Sequence, residues 1–223
     1  MQTRTVLITG GARGIGAAIA ATLSARGCQV IAPPRSALDL SSPTSVEAYV
    51  AAHRELAIDI LINNAGINVL RSIGEIDDAS WQSMLQTNLS AALRLTQAFA
   101  PGMQGRGWGR ILNVSTIFSL VTKERRAAYS MTKAALNALT RSAAVEFGPS
   151  GVLVNTLAPG YVDTALTRQN NSPAAIAAIT ANIPLRRLAQ AEELARAAAF
   201  LVSEDNTYIT GQTLVVDGGF TCQ

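Results

Sequence analysis

The chain is poor in the side chains that usually advertise chemistry. A single histidine, His53, serves all 223 residues, leaving little material for a Ser-His-Asp triad or an imidazole metal site. It lies in a mixed polar and apolar stretch and is expected on a solvated helix surface. Only two cysteines occur, Cys28 in an apolar strand and Cys222 in the terminal tail, with no Cys-x-x-Cys spacing; a buried thiol and an exposed one are expected, without a disulfide or a metal. Charged residues make up 15% of the chain and aromatics 5%. Sixteen arginines and two lysines give a net charge of +3 spread without a long basic run, so nucleic acid is not an expected partner. No run of eighteen apolar residues is present, and Thr5-Val-Leu-Ile-Thr9 passes directly into glycines without a signal-peptide arrangement. A soluble, cytoplasmic protein with no membrane partner is expected.

Apolar mass, by contrast, is abundant: 48% of residues are hydrophobic, enough to bury one large core in a single domain over residues 1–223. β-Branched runs at Thr5–Thr9, Gln29–Ala32, Ile58–Asn63, Ile111–Ser115, Val152–Leu157 and Thr213–Val216 read as strands. Helical patterns fall between them, at Ile15–Ala25, Ser45–Leu56, Ala79–Ala100, Ala127–Phe147 and Ala191–Val202. This alternation predicts an α/β fold, a doubly wound Rossmann-type domain with a mostly parallel six-stranded sheet and helices on both faces. Ligands of such sheets bind beyond the strands' C-terminal ends. About a dozen residues separate Ala32 from Ser45, too few for another parallel crossover and strand. Gln29–Ala32 is therefore expected at a sheet edge, blunted by Pro33-Pro34.

Tyr129-Ser-Met-Thr-Lys133 places a phenol and an ammonium on one helical face, roughly 6 Å apart along the axis. A nearby cation favours phenolate and lowers a pKa that is ordinarily near ~10, making Tyr129 a candidate acid/base. Thr9-Gly-Gly-Ala-Arg-Gly-Ile-Gly16 joins the first strand to the first helix. Gly10 and Gly14 permit a tight turn close to a pyrophosphate, Gly16 permits close packing of helix on strand, and the helix N-terminus offers free N–H groups to a dinucleotide. About twenty positions on, where NAD-binding chains carry an acid for the ribose 2′-hydroxyl, stands Ala32-Pro33-Pro34-Arg35. Without a carboxylate there, and with Arg13 and Arg35 close in sequence, NADP(H) is favoured. NAD(H) stays open through Asp39, the carboxylate that could still reach the adenosine.

Together with Asn63-Asn-Ala-Gly66, Asn88, Pro159-Gly160, Thr164 and Asp217-Gly-Gly219, these residues resemble the short-chain dehydrogenase/reductase family over nearly the whole chain. The resemblance implies a nicotinamide-dependent oxidoreductase that interconverts a carbonyl and a secondary alcohol, commonly as a homotetramer or homodimer. It makes Tyr129 the proton donor and acceptor. Lys133 would hold the nicotinamide ribose and lower the phenol's pKa, and Asn88 would hold a relay water. The substrate-orienting hydroxyl belongs thirteen residues before the tyrosine, at Thr116; a one-residue shift would hand the role to Ser115, with Ser119 a weaker third candidate. Asn64, Ala65 and Gly66 would meet the adenosine ribose. Ile15 accompanies the glycine turn, while Pro159, Gly160, Val162 and Thr164 would cover the nicotinamide. Asp217-Gly218-Gly219 is read as structural. The chain departs from the family pattern in lacking the strand and helix that normally follow the second strand, which removes part of the adenine wall.

Substrate shape would be set by Ile117–Ala128 and by a loop over residues 160–190. Lys123-Glu124-Arg125-Arg126 and Arg186-Arg187 could bind a carboxylate, a phosphate or an acyl-carrier thioester, while Phe118, Leu120 and Tyr161 could line an apolar pocket. A 3-oxoacyl thioester reductase and a sugar-acid reductase both fit. A catalytically silent dinucleotide sensor or scaffold is the alternative from another class, and a nucleotide-sugar epimerase would need a larger C-terminal substrate domain.

Overall fold

A computed structural model describes residues 3–223. Six parallel strands form one sheet: β1 Thr5–Ile8, β2 Gln29–Ile31, β3 Ile60–Asn63, β4 Gly109–Val114, β5 Val152–Pro159 and β6 Thr213–Val216, in the order β2-β1-β3-β4-β5-β6. The order reverses between β1 and β3, opening a crevice at their C-terminal ends. As expected, β2 is an edge strand, only three residues long, and the chain leaves it through Pro33-Pro34.

Period-two alternation sorts the core into two layers. Val6, Ile8, Ile60, Ile62, Leu112 and Val114 face α1 (Gly14–Ala25) and α8 (Ala191–Leu201). Leu7, Leu61, Ile111 and Val154 face α2 (Pro43–His53), α4 (Ala91–Gly105) and α5 (Ala127–Phe147). Each fully buried Leu or Ile in these layers contributes about 2–3 kcal/mol.

Several expected boundaries move, each for a local reason. Helix α2 starts at Pro43 rather than Ser45, because Ser42 accepts a hydrogen bond from the Ser45 amide (3.2 Å) and proline suits the first helical position. The single helix expected over Ala79–Ala100 is interrupted: α3 (Asp78–Leu85) passes through one π-turn, Gln86–Ser90, into α4. The stretch expected as a loop over 160–190 contains α6 (Ala165–Asn170) and α7 (Pro173–Ala181). His53 does more than face solvent: it stacks on Tyr49 with ring centroids 4.0 Å apart and donates from Nδ1 to the Tyr49 carbonyl (2.8 Å). Cys28 is half-buried just before β2, Cys222 is exposed, and both are free thiols. Among the described residues no helix is long and apolar enough to cross a membrane.

Candidate active site

The turn after β1 and the turn after β3 are locked together. Thr9 Oγ1 accepts from the Asn64 and Ala65 amides (3.1 Å each), and Asn64 Nδ2 donates to the carbonyls of Thr9 (2.9 Å) and Gly10 (3.1 Å). Gly10 and Gly14 adopt φ of +66° and +54°, and a Cβ on Gly10 would stand 3.0–3.1 Å from Asn64 and Ala65. Helix α1 has no side-chain N-cap and no acid in its first turn, so its free amides suit an anion. These features fit a pyrophosphate cradle. Beside it opens a cavity of about 480 Å³, lined by residues 9–13, 33–35, 38–41 and 65–67 together with Ser83 and Thr87. Arg13, Arg35 and Asp39 all border it. Arg35 pairs with Asp39 (3.2 Å) and donates to Ser41 Oγ (3.2 Å), whereas Asp39 Oδ1 accepts from the Ser41 amide (3.0 Å) and hydroxyl (2.6 Å). The Ser41 hydrogen bonds, assisted by Arg35, hold the Asp39 carboxyl below the usual carboxylate range.

Gly66 and Ile67 also line a second, smaller cavity of about 230 Å³ that contains Ser115, Thr116, Tyr129 and Lys133. Thr116 follows β4 and caps a 3₁₀ turn by accepting from the Phe118 amide (3.3 Å). Its side chain lines the cavity with Tyr129 and opposes the rise of the phenol's pKa. Ser115, in contrast, donates to the Lys133 carbonyl (3.2 Å), and Ser119 is held between the Thr116 carbonyl (2.6 Å) and Asn137 Nδ2 (2.9 Å). Of the three hydroxyls considered from sequence, only that of Thr116 donates to no backbone carbonyl, which leaves its proton for the cavity it lines. Lys133 is 2% exposed and donates to the Val114 carbonyl (2.7 Å); burial lowers its pKa to about 8. Burial likewise pushes the Tyr129 phenol up, opposed by the Arg126 charge and the Thr116 hydrogen bond. The expected lowering of the phenol by Lys133 is therefore not a property of the protein by itself, because enclosure outweighs neighbouring charge.

Asn88 lies in the π-turn, 1% exposed. Its side chain accepts from the Ile67 amide (2.8 Å) and donates to the Ile67 carbonyl (2.9 Å) and Thr132 Oγ1 (3.1 Å). It clamps the loop after β3 onto α5, one residue before Lys133. A Cβ on Gly66 would sit 3.2 Å from Asn88 Oδ1 and 3.3 Å from Lys133 Nζ, so any larger residue here would push both side chains aside by a few tenths of an ångström.

Residues 10–221 match the family model described as Enoyl-(Acyl carrier protein) reductase. The chain is 36% identical over 239 aligned positions to 3-oxoacyl-[acyl-carrier-protein] reductase FabG of Vibrio cholerae, with 98% of each covered, and 34% identical over 247 positions to Nodulation protein G of Azospirillum brasilense, each covered completely. It superposes with a TM-score of 0.93 on a gluconate 5-dehydrogenase from Burkholderia cenocepacia J2315 in complex with NADP and tartrate, at 31% identity, covering 100% of this chain and 97% of that one. The chain belongs to the short-chain dehydrogenase/reductase family. The 239 positions aligned with the Vibrio reductase exceed the 223 residues present here, so that relative carries residues this family member lacks.

The remaining family markers form one wall of the site. Pro159, Gly160, Val162 and Thr164 line the smaller cavity with Ile15 and Asn64. Thr164 approaches to 3.6 Å of where a Gly14 Cβ would stand. Val162 is pinned by a bridge to Ala189, and Tyr161 packs edge-on against Phe118 (6.0 Å) and Phe220 (5.4 Å). Asp217 accepts from the Gly219 and Thr221 amides (2.9 and 2.8 Å) and braces Gly160, whose Cβ would lie 2.6 Å from its own. Leu120, considered as a pocket wall, is 56% exposed outside the cavity, whereas Phe118 and Tyr161 do line it. Sequence reasoning missed Asn68, Thr167 and Asn171 in the smaller cavity and Ser83 and Thr87 in the larger; they are polar residues on no motif spacing.

Gly16 touches neither cavity. It is buried under the turn, where a Cβ would collide with the Gly10 carbonyl and Asn64 Nδ2. Gly16→Ala is expected to cost about 1–3 kcal/mol of stability and to weaken NADPH binding by prying the two turns apart. Gly74→Ala, with nothing within 4 Å, serves as the neutral control. Thermal unfolding and nicotinamide fluorescence titration would test this; a Gly16 variant that matches the control in both would refute the packing argument.

Proposed function

We propose that the protein is an NADPH-preferring reductase of 3-oxoacyl or sugar-acid type carbonyls, working with Asn88, Thr116, Tyr129 and Lys133. The observation that carries this reading is the continuity of the phosphate-cradling cavity with the Tyr129 cavity through Gly66 and Ile67. A bound nicotinamide supplies the hydride for reduction, or accepts it for oxidation. The chain does the rest. Thr116 donates a hydrogen bond to the substrate oxygen, and Tyr129 gives its proton to that oxygen as carbon is reduced, both side chains lining the one cavity. Lys133 offers its remaining ammonium protons to a ribose while anchored on Val114. Asn88 spends its side chain on Ile67 and Thr132, so it fixes the floor of the site, and any relay water would be held by groups other than its amide. Silent binding is disfavoured, since a silent protein has no need of a buried, pKa-shifted lysine beside a buried tyrosine.

For the cofactor, Gly10, Gly14, Ile15, Ala65, Gly66, Val162 and Thr164 would hold backbone and phosphates, and Arg13 and Arg35 the 2′-phosphate. The Vibrio relative is a reductase of 3-oxoacyl-[acyl-carrier-protein], and the Burkholderia structure holds NADP. Activity against a panel of carbonyls, followed at the nicotinamide absorbance, is expected to show a KM for NADPH well below that for NADH. Arg13→Ala and Arg35→Ala should each raise the NADPH KM roughly tenfold, the worth of one charge-assisted contact, and leave NADH little changed. NADH preference in the unmodified protein would instead point to Asp39 on the ribose. Exposed Leu93, Met131 and Val145 on α4 and α5 support assembly as a homodimer or homotetramer.

A further inference from the structure

The basic residues flanking Tyr129 have separate fates. Lys123 and Arg125 stay outside the cavity; Arg125 reaches only the Leu70 carbonyl (3.5 Å). Arg187 forms two hydrogen bonds with Glu193 (2.7 and 2.8 Å), Arg168 two with Asp163 (2.7 Å each), and Arg186 donates to the Ala181 carbonyl. Arg126 alone of these enters the catalytic cavity, one helical turn before Tyr129. Its guanidinium carbon lies 4.4 Å from the centroid of the Phe118 ring, its Nε is buried without a hydrogen-bond partner, and it joins no ion pair among the described residues.

No aspartate or glutamate lines this cavity, whereas two cations, Arg126 and Lys133, do. Lys133 is committed to the Val114 carbonyl and lies on the side of Gly66. Arg126 and Tyr129 line the same cavity, and the Arg126 charge opposes the upward shift of both the Tyr129 and Tyr161 phenols. A planar guanidinium held against an aromatic face, with an unused N–H, is suited to two parallel hydrogen bonds to a carboxylate. Among apolar walls that include Ile15, Ile67, Phe118 and Val162 stand further polar groups: Asn68 Oδ1 is buried and unpartnered, and Thr167 and Asn171 add a hydroxyl and an amide. Thr167 Oγ1 shares a hydrogen bond with Thr164 (3.2 Å) and Asn171 Nδ2 donates to the Thr167 carbonyl (2.8 Å), so Asn68 Oδ1 is the group that an alkyl chain would leave unsatisfied and a substrate hydroxyl would pair with.

Resting on the oxidoreductase reading above, we infer that Arg126 is a specificity-determining residue that binds the free carboxylate of a small hydroxylated oxo acid, with Asn68 accepting a hydrogen bond from a substrate hydroxyl. The favoured substrate is then an acid with its carboxylate a few carbons from the reducible carbonyl, in preference to an acyl thioester, in which that charge is lost.

The test compares acids with their methyl esters, acetoacetate with methyl acetoacetate and 5-oxogluconate with methyl 5-oxogluconate, using NADPH and the unmodified, Arg126→Met and Arg126→Lys proteins. The unmodified protein is expected to favour each acid roughly 10- to 100-fold in kcat/KM. Arg126→Met should erase that preference through KM while ester turnover is retained, which also shows that the variant folds; Arg126→Lys should restore part of it. Equal loss on acid and ester, or no acid preference in the unmodified protein, would overturn the assignment. Should no carbonyl be reduced at all, the oxidoreductase reading fails separately. Calorimetric titration with tartrate then decides the site by itself: binding lost in Arg126→Met supports it, and binding unaffected by the substitution refutes it.

Discussion

Replacing Tyr129 with phenylalanine is expected to lower kcat for carbonyl reduction by roughly 10²- to 10⁴-fold with little change in NADPH affinity. The ring fills the same space and only the phenol oxygen is lost, so the cavity walls and the phosphate cradle stay in place. Burial raises the phenol's pKa, which keeps the proton available across the neutral range. The reductive rate should therefore be insensitive to pH near neutrality, as far as Tyr129 sets it, and fall at alkaline pH as the phenol ionises. A phenylalanine variant that turns over as fast as the unmodified protein would sink the proton-transfer assignment.

Lys133→Met is expected to abolish turnover to a similar degree, and it carries a second, independent signature in stability. The pKa of Lys133 falls from an ordinary 10.5 to about 8 because the ammonium is enclosed. Below pH 8 the lysine is charged in both the folded and the unfolded chain, and the folded state bears the whole desolvation penalty. Between pH 8 and 10.5 the unfolded chain binds more protons than the folded one, so this group's contribution to stability rises with pH. The methionine variant has no such group. The stability difference, unmodified protein minus variant, should thus climb by on the order of 3 kcal/mol across that window. Loss of the hydrogen bond to the Val114 carbonyl offsets the comparison by a constant of about 1–3 kcal/mol without altering the slope. Denaturant melts at pH 7.5, 9 and 10.5 would show it; parallel pH profiles would mean that the lysine is not buried as a cation.

Which parts of this architecture can be read from sequence depends on whether a single physical rule governs them. The six strands follow from their apolar, β-branched runs, and the edge position of the strand at Gln29–Ile31 from the shortness of the connection after Ala32; both hold. The glycine turn is legible because Gly10, Gly14 and Gly16 each meet a steric need that no other residue serves. Helix α5 is harder. Its apolar spacing, Ala134, Leu136, Ala138, Leu139, Ala143 and Val145, is that of a helix, yet of these only Leu136 and Ala143 are buried, Val145 is 78% exposed, and Thr132, Lys133, Asn137 and Thr140 are buried beside them. Polar residues look inward there because Asn113 donates to Thr140 (2.8 Å), Thr140 shares a hydrogen bond with Thr156 (2.7 Å) and Lys133 reaches Val114; long-range pairing of this kind leaves no periodic trace. The π-turn is hidden likewise, since one extra residue in a helix leaves the apolar spacing almost unchanged. Among the clustered arginines, sequence could not separate Arg126 from Arg125, because the distinction rests on Arg125 adopting φ of +64° and turning the chain.

The missing strand and helix after β2 change what kind of object the cofactor's outer wall is. In a sheet flanked on that side by another strand, the adenosine end would rest on structure that the whole core supports. On the proposed reading it would rest here on the connection from Ala32 to Ser42, which supplies Pro33, Pro34, Arg35, Leu38, Asp39 and Ser41 and whose Arg35, Asp39 and Ser41 bond mainly to one another. Only Leu38 is anchored deep in the core. On the proposed reading, coenzyme choice is shared between this short loop and Arg13 at the start of α1, so a loop graft together with exchange of that one side chain is expected to rewrite it while β1 and the chemistry at Tyr129 remain as they are.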